Sequence, residues 1–233
     1  MTGDVPLADN ARGWTGRPKS AQEVAMEFLL HGLRTGRYRA GEQIIPEAVA
    51  DEVGVSHVPV REAVRKLEGR GTLTHRPRRG YFVTELDLDD LDTIVVLGSL
   101  LENEALRRAL PVINEDQIVR MRKAVEDGRA LQGQDPVGVA SAGRTFHEVM
   151  LERGVPKLLL RHLSLLWSTM EPYRPLLYSA EQNQDSSCLE HEAILAAIEG
   201  RDVDAVIAAY DEHRMSIARA MRDLIPPKDP KTG

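Results

Sequence analysis

Three histidines in the second half of the chain have the type and placement needed to bind one metal ion. His147, His191 and His213 each fall on the apolar stripe of a different predicted helix, so their imidazoles are expected to point into one helical bundle. Neutral imidazole binds Zn²⁺, Ni²⁺ and similar ions, so three such rings can form the protein part of a divalent-metal site. The alternative is three core histidines with their own hydrogen-bond partners, and the residues alone leave both interpretations open.

The same histidines raise the question of a metal-dependent enzyme. His147-Glu148 begins like the HExxH helix of metalloproteases, but Leu151 stands where the second histidine belongs. Cys188 is the single cysteine, and the carboxylates that neighbour it in sequence would raise the pKa of its thiol rather than activate it. The sequence contains no glycine-rich phosphate loop. We therefore expect no catalysis, with an enzyme built on the three histidines kept as the alternative.

A second group of residues points to phosphate binding. The chain has a formal net charge of −6, yet residues 54–80 carry seven basic residues against Glu62 and Glu68. The basic residues are Arg61, Arg65, Lys66, Arg70, Arg76, Arg78 and Arg79. A local basic patch can bind a polyphosphate while the acidic remainder of the protein faces elsewhere. The alternative is a basic helix face that is simply solvated.

The basic patch lies within a pattern of three helices and a β-hairpin. The predicted elements are a helix from Ser20 to about Gly36, a helix over 46–53, a helix from Ser56 to Gly71, and strands over 73–75 and 81–83. Ser20 and Glu23 form a capping box, and Gly54 has the position of a left-handed C-cap. Two helices joined by a glycine-containing turn, with the second basic on its outer face, predict a winged helix-turn-helix.

The remainder of the chain predicts an all-α bundle, so the fold class is mainly α. Six helical stretches are expected at about 87–109, 115–132, 135–153, 156–178, 185–200 and 202–224, with the polar run 181–187 as a break. The expected organisation is a disordered tail over 1–19, a DNA-binding domain over 20–85, a helical domain over 86–225 and a frayed tail over 226–233. Short loops between the helices are typical of bundles.

The bulk composition favours a cytoplasmic protein. A single cysteine excludes an internal disulfide and fits a reducing compartment. The first residues, MTGDVPLADNARGWTG, have no apolar segment of a signal peptide. No apolar run approaches the length of about 18 residues that a membrane span needs, so no membrane partner is expected.

Sequence motifs in both parts of the chain resemble one family of regulators. Arg39-Ala-Gly-Glu42, VADEVGVSHVPVREAVRKLEGRG and RPRRGYFV resemble the winged helix of GntR-type bacterial transcription regulators. Thr145-Phe146-His147, Glu190-His191 and Asp211-Glu212-His213 resemble landmarks of the FCD effector domain of the FadR branch, and six helices are similar to its VanR-like subgroup. The resemblance implies a homodimeric, metabolite-responsive repressor or activator on a near-palindromic operator in double-stranded DNA. A DNA-binding protein without an effector remains a further alternative.

A recognition helix presents its N-terminal residues to base edges, which here are Ser56, His57 and Arg61. Arg65 and Lys66 are expected at phosphates, which position the protein without specifying sequence. Arg78, Arg79 and Gly80 resemble the family's wing contact with the DNA backbone or minor groove. The family usually has Arg-Thr where this chain has His57-Val58, so we expect an operator that departs from the family's common half-site.

The resemblance also implies a metal and a small-molecule effector, with two departures. It assigns His147, His191 and His213 to a Zn²⁺ or Ni²⁺ ion, but Gly143 stands at the family's aspartate ligand. In LGSLLENEALRRA, Ser99 replaces the arginine that holds a carboxylate effector, while Glu102 is retained. Either another base (Arg144, His162 or Arg214) binds an organic acid, or the effector is not a simple carboxylate.

Overall fold

The computed structural model describes residues 19–225, and its N-terminal part is a winged helix. Three helices come first: α1 (Ala21–Arg34), α2 (Pro46–Val53) and α3 (His57–Glu68). The Ser20 capping box is confirmed, because Glu23 N–H donates to Ser20 Oγ at 3.2 Å and Ser20 N–H donates to Glu23 Oε2 at 2.7 Å. Gly54 ends α2 with a φ of 74°, the left-handed C-cap that the sequence predicts.

The wing is a three-stranded antiparallel sheet with one strand more than predicted. The strands are β1 (Gln43–Ile44), β2 (Leu73–Arg76) and β3 (Gly80–Val83), in the order β1-β3-β2. The hairpin of β2 and β3 is confirmed. β1 lies between the first two predicted helices, where no strand was predicted, and it is a strand because β3 supplies its partners, with Gln43 opposite Phe82 and Ile44 opposite Tyr81.

Helix α3 has one buried face and one exposed face. Val60, Ala63, Val64 and Leu67 are all fully buried, in one core with Leu29 of α1. The prediction of a helix running to Gly71 is wrong by one turn, because α3 ends at Glu68. Ser56 occupies the N-cap position, but its side chain makes no capping hydrogen bond. The buried face fixes the orientation of α3, so its basic side faces solvent.

The second part of the described chain is all-helical, as predicted. Its helices are α4 (Leu88–Ala109), α5 (Glu115–Leu131), α6 (Pro136–Leu151), α7 (Lys157–Met170), α8 (Arg174–Leu177), α9 (Glu181–Glu199) and α10 (Val203–Arg222). The predicted stretch 156–178 is interrupted by a 3₁₀ turn at Glu171–Tyr173, where Pro172 removes a backbone donor.

The predicted break at 181–187 is also wrong, because this polar run forms the start of α9. Two of its polar side chains are buried and bonded inside the protein: Gln184 Nε2 donates to the Tyr178 carbonyl at 2.8 Å, and Ser187 Oγ lies 3.1 Å from Tyr178 Oη. Polarity therefore marks internal hydrogen bonds here rather than a loop.

The two parts contact each other where α1 meets the turn after α7. Leu86 N–H donates to Tyr173 Oη at 2.6 Å, and Arg34 Nε donates to Glu171 Oε1 at 2.9 Å. Among the described residues, no helix is both long and apolar enough to cross a membrane. The predicted tails fall almost wholly on residues 1–18 and 226–233, which lie outside the described part of the chain.

Candidate functional sites

The basic face of α3 is open to solvent and free of bulky neighbours at its start. Ser56, His57, Arg61, Arg65 and Lys66 are all exposed. Val58 is 66% exposed, which leaves its methyl groups available for contact. The structure therefore brings together on one face the α3 residues that the sequence assigns to DNA.

Arg61 is held by a weak surface contact. Its Nη2 lies 3.2 Å from Glu47 Oε1, and the two side chains are 64% and 50% exposed. An exposed pair of this kind contributes about 0–1 kcal/mol, so exchanging it for a base or phosphate contact costs little. Lys66 Nζ donates to Gln22 Oε1 of α1 at 2.8 Å, which keeps its ammonium beside the same face.

The wing tip carries its arginines on a fixed backbone. Arg78 has a φ of 63° and Gly80 a φ of 94°, and Gln43 Nε2 donates to the Arg79 carbonyl at 2.7 Å. A side chain at Gly80 would also meet Gln43 Nε2 at 3.3 Å, so glycine suits this position twice over. Arg78 and Arg79 are exposed beyond this anchor, as a wing contact with DNA requires.

In the helical domain, the three predicted histidines meet in one buried cluster. His147 lies on α6, His191 on α9 and His213 on α10, and each is at most 9% exposed. One ligand nitrogen from each lies within 4.8 Å of the others, and His147 Nε2 is 3.1 Å from His191 Nε2. Two nitrogens bound to the same tetrahedral Zn²⁺ ion at about 2.0–2.1 Å lie roughly 3.4 Å apart, so the spacing seen here fits one ion.

Neighbouring groups orient these rings, and their burial keeps them uncharged. Glu190 Oε2 lies 2.7 Å from His213 Nδ1, which leaves Nε2 of that ring for an ion, as carboxylates do for metal-binding histidines. His147 Nδ1 is buried without a hydrogen-bond partner in the described structure. Burial, followed by repulsion from the neighbouring histidines, lowers the pKa of His147 well below its ordinary value, and burial does the same for His191. Neutral imidazole is the form that binds a metal.

Gly143 has a structural reason that the sequence does not reveal. A Cβ atom at this position would lie 2.8 Å from Cε1 of His191, which is closer than real contacts allow. The residue at the family's aspartate position therefore gives space to the ring of one ligand. The structure supplies three imidazoles here, and no carboxylate from α6 can be added without displacing His191.

A cavity that is partly open to solvent adjoins the histidine cluster. Glu102, Arg144 and Arg214 line it together with His147 and His213, as the sequence predicts. Ser99 and His162 are not among its lining residues. Ser99 Oγ donates to the Val96 carbonyl at 2.9 Å, and His162 is exposed with Nδ1 2.7 Å from the Leu158 carbonyl.

Glu102 organises one wall of the cavity. Its Oε1 accepts from Trp167 Nε1 at 2.7 Å and from Tyr210 Oη at 3.4 Å, while Oε2 accepts from Arg214 Nε at 2.7 Å. Arg214 also binds Asp211. Both of the charges in the Glu102–Arg214 pair are thus compensated within the protein, and this wall is set before any ligand enters.

Among the side chains with polar atoms that line the cavity, sequence reasoning missed three: Trp167, Arg174 and Tyr210. Arg174 lies in the segment after the unpredicted turn, flanked by Tyr173 and Pro175, where no helical periodicity assigns it a side. Tyr210 lies on the apolar stripe of the predicted helix that carries His213, so the pattern does not distinguish it from an apolar core residue. The rarity of tryptophan, with two in the chain, is the one signal that draws attention to Trp167.

Both parts of the chain match known families. Residues 21–83 match the family described as "Bacterial regulatory proteins, gntR family", and residues 93–215 match the "FCD domain". A winged helix with an exposed basic recognition helix, joined to a helical effector domain, defines a DNA-binding transcriptional regulator. The chain belongs to the GntR family and carries an FCD domain.

Known relatives align with most of the chain. The HTH-type regulator BphR of Paraburkholderia xenovorans, described as uncharacterized, is 28% identical over 94% of each chain. The HTH-type transcriptional repressor RspR of Escherichia coli is 24% identical over 79% of this chain and 81% of its own. The solved structure of Escherichia coli McbR/YncC has a TM-score of 0.79 at 23% identity, covering 88% of this chain and 99% of that one, which supports the fold.

Proposed function

We propose that the protein is a metabolite-responsive repressor of the FadR branch, similar to the VanR-like subgroup, acting in the cytoplasm on a near-palindromic operator. The observation that carries the proposal is the contact between two sites: His147 and His213 belong to the metal cluster and also line the cavity. A ligand in the cavity therefore lies against the ion position. This arrangement supports effector binding that uses the ion and protein side chains together.

The metal is proposed to be Zn²⁺ or Ni²⁺ held by His147, His191 and His213. Three imidazoles leave a coordination position for water or an effector atom, which is the usual arrangement of an open zinc site. When bound, the ion supplies a positive charge that attracts an acidic group. Glu190 supports this role because it fixes the nitrogen that His213 presents.

The effector is proposed to be a small organic acid. Arg144, Arg174 and Arg214 line the cavity, and Arg214 is already paired with Glu102 and Asp211. Arg144 and Arg174 share the single buried carboxylate of Glu171, and they are proposed to replace the guanidinium that the family places at Ser99. A carboxylate bound between them and the ion would accept hydrogen bonds from the guanidinium N–H groups of Arg144 and Arg174.

The DNA contacts are proposed from the exposed face described above. Ser56, His57 and Arg61 would reach base edges in the major groove, while Arg65 and Lys66 contact phosphates. Arg78, Arg79 and Gly80 would approach the backbone or minor groove from the wing. The fixed wing tip and the solvated α3 face support this assignment.

A homodimer is proposed through the outer face of α4. Val96, Leu97 and Leu100 are 58%, 42% and 64% exposed on adjacent turns of this helix. An apolar strip of this kind on a helical surface is typical of a protein contact. Two copies joined there would present two recognition helices to the two halves of an operator.

Native mass spectrometry and metal analysis of the purified protein test these points together. We expect a dimer that carries about one divalent ion per subunit, with the ion lost after EDTA treatment and absent from a His191→Ala variant. Operator selection from random duplexes should yield a palindrome. A metal-free monomer whose DNA binding no metabolite alters would contradict the proposal and favour a DNA-binding protein without an effector.

A further inference from the structure

Glu171 is a buried carboxylate at the junction of the two parts of the chain. It lies in the 3₁₀ turn between α7 and α8 and is 3% exposed. Its Oε1 accepts a hydrogen bond from Arg34 Nε of α1 at 2.9 Å. Its Oε2 accepts from Arg144 of α6 and lies 3.9 Å from Arg174 Nε. One carboxylate thus contacts the winged helix with one oxygen and the cavity wall with the other.

The charges around Glu171 are unbalanced in favour of cations. Three guanidiniums face this one carboxylate, and the only further acid that Arg144 contacts in the described structure is Glu148 at 3.7 Å, which is exposed. Arg174 Nε is buried without a hydrogen-bond partner. Burial lowers the pKa of Arg144, so a second anion beside it would stabilise its charge. Arg144 and Arg174 both line the cavity, so a ligand there would lie against both guanidiniums.

Arg34 connects Glu171 to the helix that packs against the recognition helix α3. Arg34 is the last residue of α1, and α1 shares the buried core of α3. Gln22 of α1 also accepts from Lys66 and donates to Glu62 at 3.0 Å, and both of these residues lie on α3. A change in how Glu171 holds α1 therefore reaches the DNA-binding face through packed and hydrogen-bonded elements.

We propose that Glu171 couples the cavity to the winged helix: an acidic group bound by Arg144 and Arg174 takes donors from Glu171 and thereby changes its hold on Arg34. This inference rests on the proposed function, in which the cavity takes an anionic effector. With Arg144 drawn toward the ligand, the charge of Glu171 is shared by fewer cations, so its contact with Arg34 tightens. Coupling between two sites is reciprocal, so operator binding changes the affinity of the cavity for anions by the same factor.

A double-mutant cycle tests the coupling without knowledge of the effector. Wild type, Arg34→Met, Arg144→Met and the double variant are compared for binding to an operator that wild type selects from random duplexes. Each single variant leaves Glu171 one hydrogen-bonded guanidinium, whereas the double variant leaves it only Arg174 at 3.9 Å, so urea unfolding checks that all four proteins fold. If Glu171 transmits the effect, the two substitutions should deviate from multiplicative behaviour by about fivefold or more. Agreement with the product of the single effects within about twofold overturns the proposal.

Two controls keep the result specific. Arg122→Met removes another arginine of the helical domain, which pairs with Glu199 outside the cavity, and its effect should multiply independently with that of Arg34→Met. Glu171→Gln should abolish the coupling between Arg34 and Arg144, and persistence of that coupling in a folded Glu171→Gln protein contradicts the proposal.

Hydrogen exchange of the last turn of α1 gives a second measurement that needs no operator. Introduced into the wild-type protein, Arg144→Met should increase the protection of these backbone amides from exchange. Introduced into the Arg34→Met variant, it should leave their protection unchanged. If selection enriches no sequence, the proposed function fails while the exchange result still decides the coupling. Equal exchange with and without Arg144 refutes it.

Discussion

The exposed face of α3 and the buried cavity both depend on charged side chains, yet they hold those charges in opposite ways. Arg61 pairs with an exposed glutamate only 14 residues away. Glu102 and Arg214 are both about one-tenth exposed or less and are separated by 112 residues in sequence. A solvated charge needs only a correctly oriented helix, whereas a buried charge needs a partner delivered by the fold. Substitutions should therefore affect binding in the first region and stability in the second.

The largest expected effect is on the buried pair. Glu102→Ala leaves Arg214, Trp167 and Tyr210 without their shared acceptor, and breaking a buried pair in this way costs about 3–5 kcal/mol. The free energy of unfolding in urea measures the loss. Glu104→Ala is the matched control, because its partner Arg108 lies on the same helix and both side chains are about half exposed, so it should cost less than about 1 kcal/mol. Similar losses for the two variants would remove the distinction between the regions.

On the exposed face, Arg61→Ala should reduce specific binding with little change in stability. Loss of a base contact weakens operator binding by roughly 1–3 kcal/mol, whereas the free energy of unfolding should stay within about 0.5 kcal/mol. Fluorescence anisotropy with operator and with unrelated duplex measures both affinities. Arg65→Ala is the comparison, since a phosphate contact should weaken both duplexes alike. Equal losses on both duplexes for Arg61→Ala would make it a phosphate contact too.

In the histidine cluster, where a metal is proposed, Gly143→Ala should lower Zn²⁺ affinity about 10–100-fold, the usual effect of disturbing a residue that orients a ligand. The added Cβ would displace the His191 ring, and isothermal titration calorimetry measures the affinity. Gly128→Ala on α5 is the control, because its Cβ would make ordinary contacts of 3.5 and 3.6 Å with Ala142 and Cys188. Unchanged affinity in Gly143→Ala would show that His191 is not a ligand.

The smallest effect is expected from a change of specificity at the start of α3. Replacing His57 by Arg together with Val58 by Thr introduces the family's usual pair and should favour guanine at one position per half-site. The preference lies at the low end of roughly 1–3 kcal/mol. Sequencing of duplexes selected by wild type and variant measures it. Recovery of the same operator by both proteins would show that these two side chains do not read bases.

The difference between the two regions also explains what the sequence could predict. The break between α2 and α3 is encoded locally by Gly54, and the winged helix could be predicted from the three helices, this glycine turn and the hairpin. The three histidines could be predicted because each repeats with the apolar period of its helix. Glu171 lacked such a signal, because its burial depends on α1 and α6 arriving from opposite sides of it.

Two errors have the same physical origin. β1 has only two residues and exists because β3 pairs with it, so local propensity cannot reveal it. The helical start of α9 looks like a loop until Tyr178 is seen to satisfy Gln184 and Ser187. In both places the partner that decides the structure lies outside the segment that a sequence pattern describes.

The connection between the two parts has a consequence for operator architecture. Only residues 84–87 separate β3 from α4, and within them Leu86 is buried and bonded to Tyr173. The winged helix is thus fixed to the helical domain rather than joined to it by a flexible linker. In a homodimer, the distance between the two winged helices would therefore be set by the protein and not by the DNA. One extra base pair between half-sites shifts them by about 3.4 Å and rotates them by about 35°, so tolerance for altered operator spacing should be low.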